Sequence, residues 1–128
     1  MTTNPPATDT PEGFVPLFPT SPFLDALAPF FYKPTKSSFV IGLRIAADHA
    51  NARGSAHSGL LLTLADIALG YTASASSDPP LALMTVNIAA DFDGHAQVGD
   101  WLEACRTKNL RIARSDQVSR CDGAPAES

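Results

Sequence analysis

Residues 58 to 75 read Ser-Gly-Leu-Leu-Leu-Thr-Leu-Ala-Asp-Ile-Ala-Leu-Gly-Tyr-Thr-Ala-Ser-Ala, and this most apolar stretch of the chain holds one carboxylate, Asp66. His57-Ser58-Gly59 opens it and Ser76-Ser77-Asp78-Pro79-Pro80 ends it, which predicts one long helix from about Ser58 to Ala75. A helix that is apolar nearly all round must be buried on most sides. The other periodic segments read as strands: Phe30-Phe31-Tyr32, Phe39 to Ala47, Leu81 to Phe92, Trp101 to Thr107 and Leu110 to Arg120. Most are joined by short turns. One architecture buries such a helix with such strands: an α+β fold in which an antiparallel sheet curls around a central helix.

Residues 1 to 20 carry Pro5, Pro6, Pro11, Pro16 and Pro19, a density that blocks helix and ladder pairing. They are expected to form an extended N-terminal arm whose later residues, Phe14, Val15, Leu17 and Phe18, lie against a single domain of residues 21 to 128. Ser21-Pro22 predicts a helix start, with a short helix running to about Ala28 before Pro29 stops it.

The chain has 128 residues, enough for one core. Its net charge is -4, with no block of Lys or Arg, which argues against nucleic acid or an anionic membrane as the main partner. No uninterrupted apolar run reaches the length of a membrane span, and no signal peptide is visible. The two cysteines are too few for a secreted disulfide scaffold. A turn at Lys108-Asn109 would bring Cys105 opposite the region of Ile112, so two free thiols in a reducing, cytoplasmic compartment are expected.

The exceptions to the helix's apolar pattern fall in order. Gly59, Thr63, Asp66 and Gly70 are spaced four, three and four apart, which puts them on one face. Small residues let another backbone or a ligand approach closely. Thr63 could bond the Asp66 carboxylate or back-bond to the helix. Free N–H groups at the helix start suit an anion or a developing oxyanion. That start and Asp66 are roughly 10 Å apart along one helix, too far to act on the same atom. Two antiparallel copies of the helix would set the start of one beside the Asp of the other, which favours a homodimer with sites at its interface.

Blander readings stand beside this one. A mid-helix Asp is more often solvated or structurally paired than catalytic. His57 alone would be a capping or packing residue, Asn51 and Gly54 turn residues, and Thr85 an ordinary strand residue. His49 and His95 fall on loops with no evident partner. The run Ala56-His57-Ser58-Gly59-Leu60 lacks the outer glycines of a nucleophile elbow. The histidines and cysteines lack zinc spacing, and no glycine-rich nucleotide motif is present.

The run Asn51-Ala52-Arg53-Gly54-Ser55-Ala56-His57-Ser58-Gly59, followed by Leu64-Ala65-Asp66, resembles the PaaI-type acyl-CoA thioesterases of the hotdog-fold superfamily. Met84-Thr85-Val86-Asn87-Ile88 followed by Val98-Gly99-Asp100 matches that family's next strand and its Gly-Asp turn. The resemblance covers about residues 11 to 104. It implies a sheet wrapped around the helix, a dimer or tetramer with sites at the interface, and hydrolysis of an acyl-CoA to free acid and CoA without metal or cofactor. By position it implies Asp66 as general base or nucleophile, and the Ser58 and Gly59 backbone N–H groups of the other subunit as carbonyl donors. Asn51 would hold the carbonyl or the water, His57 would lie near the thioester sulfur, and Thr85 would orient the water or Asp66.

Two departures from the family pattern stand out. Ser58 replaces the first glycine of the usual pair; at positive φ it would be strained by about 1 kcal/mol or more, whereas in the helical region it is harmless. The segment between Trp101 and Arg114 is short, and the chain stops at Ser128 inside what would be the last strand, which is expected to leave a sheet edge exposed. A non-catalytic acyl-CoA-binding hotdog protein and a structural subunit of a hotdog oligomer are therefore the competing expectations.

Overall fold

A computed structural model of the chain describes residues 10–34, 39–75, 79, 87, 89, 94–106 and 110–114. The elements are β1 (Val15–Pro16), α1 (Pro22–Leu27), β2 (Phe31–Pro34), β3 (Phe39–Arg44), α2 (Ser58–Ala75), β4 (Trp101–Arg106) and β5 (Leu110–Arg114). The strands form one antiparallel sheet in the order β1-β2-β3-β4-β5, and α2 packs against β3, β4 and β5. This is the α+β arrangement expected, a sheet against one long helix.

Alternation along the strands divides the core into two layers. Ile41, Leu43, Leu102 and Ala104 meet Leu60, Leu64, Ile67 and Ala68 of α2. The opposite face carries Val40, Trp101 and Cys105, closed by Phe14 of the N-terminal segment. Gly42 is needed there, because a Cβ on it would stand 2.3 Å from Trp101 Cζ2. Phe14 meets the Trp101 ring edge-on at 5.1 Å, and the indole Nε1–H donates to Glu103 Oε2 at 2.9 Å.

Three expectations need correction. The proline-rich segment does join the ladder: Val15 pairs with Tyr32 and Pro16 with Phe31. Pro16 is tolerated because β1 is the edge of the sheet among the described residues, where a missing N–H disrupts no inner ladder. The strand predicted over 39–47 ends at Arg44, because Ala47–His49 winds into a 3-10 turn. Cys105 stands opposite Arg111, in the region of Ile112 as expected. It is, however, not a free thiol but disulfide-bonded, so the thiol argument for a reducing compartment is withdrawn. Most of the strand expected over 81–92, Thr85 included, lies outside the described residues, as do residues 115–128.

Candidate active site

The site is built on one face of α2. Leu60, Leu64, Ala65, Ile67, Ala68 and Thr72 are buried against the rest of the chain. Thr63, Asp66 and Gly70 are partly exposed, and Gly59, Leu69 and Ala73 are exposed. The small and polar stripe therefore lies on the side that the sheet leaves uncovered.

Helix α1 forms the second wall. Ser21 caps it, its side chain accepting from the Leu24 N–H at 3.3 Å with Pro22 at the first helical position. Leu24 is buried, while Phe23 is 64% exposed and overhangs the groove between the two helices. An open cleft of about 460 Å³ runs there, with Asp66 and Thr63 among Phe23, Leu24, Leu62 and Ile67. A second cleft, of about 330 Å³, lies toward the helix start and is lined by His49, His57 and Gly59. Phe23 and Thr63 line both. Thr63 is turned away from the carboxylate in its bonding, since its Oγ1 donates to Gly59 O at 2.9 Å.

The helix start shows what each residue of the His-Ser-Gly corner does locally. The His57 carbonyl accepts from the N–H groups of Leu60 and Leu61 at 3.0 and 3.2 Å. Its Nδ1 accepts from the Gly59 N–H at 2.9 Å, so His57 acts as the N-cap of α2. Ser58 is the first residue of α2 and has helical backbone, so it bears none of the strain that positive φ would bring. Ser58 is exposed and no hydrogen bond of its N–H is found among the described residues, whereas the Gly59 N–H is occupied by the imidazole. Gly59 also lets that ring approach, because a Cβ there would stand 3.1 Å from His57 Nδ1.

Asn51 is brought to the loop before α2 but into neither cleft. Its Oδ1 accepts from the N–H groups of Arg53 and Ser55 at 2.8 and 3.1 Å, an Asx turn. The tight turn is completed by Gly54 at φ 83°. The amide NH₂ of Asn51 is left as a donor. Thus one chain brings Asp66 to one cleft and His57 and Gly59 to the neighbouring one, and it leaves Asn51 beside them.

His49 is the residue that sequence reasoning left without a role. It is 4% exposed. Its Nδ1 accepts from the Ala46 N–H at 2.9 Å and its Nε2 lies 2.7 Å from the Leu27 carbonyl. The first bond requires a bare Nδ1, so in the neutral ring the proton is on Nε2 and is donated to Leu27. The only sequence signal was its position two residues before Asn51. No group of three or more His, Cys, Asp or Glu among the described residues is arranged to hold a metal ion, and no helix among them is long and apolar enough to cross a membrane.

Comparison with known proteins agrees with this architecture. The model of the Thioesterase superfamily matches residues 53–122. A Pseudomonas aeruginosa protein that bears the name "Putative esterase" is 51% identical over 96 residues, covering 74% of this chain and 72% of its own length. The residues matched by the superfamily model include α2 with Asp66 and the paired strands β4 and β5, but not α1. The chain belongs to the thioesterase superfamily, with the hotdog fold and the hydrolase chemistry which that name denotes.

Proposed function

We propose that this chain is a PaaI-type acyl-CoA thioesterase, acting as a homodimer or homotetramer, with Asp66 as the general base or nucleophile. The observation that supports this most is the place of Asp66: a partly buried carboxylate among apolar side chains, in a cleft on the uncovered face of α2. In the general-base form, Asp66 takes a proton from water as the oxygen attacks the thioester carbon. The carbonyl oxygen becomes an oxyanion, the carbon–sulfur bond then breaks, and the CoA thiolate leaves and takes up a proton. A thioester is reactive enough for one carboxylate and one or two donors to suffice.

Donors at the helix start stand roughly 10 Å from Asp66 along the same helix, so a second, antiparallel copy would supply them. The exposed Leu69 and Ala73 and the open Gly70 give that copy a surface to approach. Ser58 N–H would meet the carbonyl directly. Gly59 N–H would do so once His57 swings aside toward the sulfur, where the family reading puts it. Asn51 would add its amide NH₂, and Thr85 would orient the water. A cytoplasmic location belongs to the same proposal, since acyl-CoA esters are made and used inside cells.

One observation favours a second reading, a non-catalytic acyl-CoA binder: the Gly59 N–H is already held by His57 Nδ1. Thiol release from a panel of acyl-CoAs separates the two. The proposal expects turnover that Asp66→Asn lowers by about 10²–10⁴-fold in kcat with KM little changed. An Asp66→Asn protein with undiminished turnover refutes the role of Asp66. Ligand-dependent protection from melting with no thiol released supports the binder.

A further inference from the structure

We propose that His49 is a positioning residue that clamps α1 at a set distance from α2 and thereby decides which acyl groups the Asp66 cleft admits. The inference rests on the thioesterase reading for its acyl consequence and on geometry for the clamp itself. Three bonds meet at this residue and join three elements. Its Nε2 bonds the carbonyl of Leu27, the last residue of α1. Its Nδ1 accepts from Ala46, two residues past the end of β3. Its own carbonyl accepts from the His57 N–H at 2.8 Å, at the start of α2. The side chain is largely buried, so water competes less for its bonds than at the surface and each is worth more than there.

Helix α1 needs such a clamp. It has six residues, far too few to be stable alone. It carries Phe23 and Leu24, the wall opposite Asp66. Its entry is tied by the Tyr71 hydroxyl, which donates to the Pro19 carbonyl, and its middle by Leu24 in the core. Its exit carbonyl at Leu27 is held by His49. Release of that end lets Phe23 move away from Thr63 and opens the Asp66 cleft to the one beside it. The held cleft then suits short or compact acyl groups, and each methylene newly accommodated on release raises kcat/KM about fourfold.

Two amide substitutions separate the two ring nitrogens. In His49→Asn the side-chain oxygen takes the place of Nδ1 and can still accept from Ala46, but nothing reaches Leu27. In His49→Gln the amide nitrogen takes the place of Nε2 and can still donate to Leu27. Amide hydrogen exchange over residues 22–28 and kcat/KM across straight-chain acyl-CoAs are measured for both and for the wild type. The proposal expects His49→Asn to speed exchange in α1 at least tenfold and to move the optimum to longer chains. His49→Gln should keep both near wild type, and kcat on the best substrate should stay within about threefold in each. Unchanged α1 exchange in His49→Asn overturns the clamp. Faster exchange with an unaltered chain-length profile overturns the acyl role. Equal losses in both variants, in kcat and in exchange over the whole chain, reduce His49 to a general stability residue. Wild-type protein that hydrolyses no acyl-CoA, with α1 loosened only in His49→Asn, sinks the thioesterase reading and the acyl role while the clamp stands.

Discussion

Gly42→Ala should be severely destabilising, against the usual sign for a glycine-to-alanine change. Such a change ordinarily stabilises by about 0.4–1 kcal/mol, because alanine has less freedom to lose on folding. The added Cβ would stand 2.3 Å from Trp101 Cζ2, and 3.0 Å from both Trp101 Cε2 and Phe14 Cε2. The indole has nowhere to go: it is 1% exposed, met edge-on by Phe14 and bonded through Nε1 to the buried Glu103 carboxylate. Overpacking costs about 1–3 kcal/mol, and losing a hydrogen bond to a charged acceptor costs about 1.5–3 kcal/mol. Set against the entropic gain, the net loss is about 2–5 kcal/mol. At about 4 °C per kcal/mol for a chain of this size, Tm should fall by about 8–20 °C. Trp101 is the only tryptophan, so its fluorescence and near-UV circular dichroism report the perturbed site directly. Both proteins must be melted at one concentration, since assembly raises apparent stability. A Tm within about 2 °C of wild type would show that the sheet's outer face is packed loosely enough to move the ring, and the account of that layer would fail.

Three further outcomes follow from other parts of the molecule. Burial raises the Tyr71 hydroxyl above its usual pKa, so the folded state holds this proton more tightly than the unfolded chain. The contribution is complete below about pH 10 and is lost as pH rises through the raised value; Tyr71→Phe should flatten that part of the alkaline stability profile, and an unchanged profile counts against the assignment. His57→Ala removes the cap on Gly59 and should cost about 1 kcal/mol in urea unfolding, with His57→Asn restoring most of it; equal losses in both would mean that the imidazole does more than cap. Leu69→Asp places a charge on the uncovered face of α2 at a position already exposed in the single chain, so it should leave the circular dichroism intact and, under the proposed α2-to-α2 pairing, shift light scattering from dimer to monomer. A dimer that survives this change pairs through another surface.

The elements that were legible in the sequence are those whose local signals agree. Ser58–Ala75 was readable end to end, because the apolar run and the Ser-Ser-Asp-Pro-Pro stop coincide. Ser21-Pro22 announced α1 for the same reason. The spacing of Gly59, Thr63, Asp66 and Gly70 foretold one face of α2, and that face is the uncovered one. Less was legible where a bond over distance overrides the local pattern. Proline density hid the pairing of Val15 and Pro16, since only the sheet order reveals that this strand is the edge among the described residues. His49 looked idle because its ring partners, Ala46 and Leu27, are three and 22 residues away. The disulfide at Cys105 was missed because spacing alone does not give the approach of two sulfurs.

The order of residues by itself determined that this chain must build a sheet around an apolar helix and carry one acid within it, because periodicity and burial of apolar surface act on every residue in turn. Only the tertiary structure decided what faces that acid. Phe23 and Leu24 came to its cleft from α1, and His57 took hold of the Gly59 N–H. These arrangements depend on angles and distances between elements, which packing sets and which no spacing along the chain encodes.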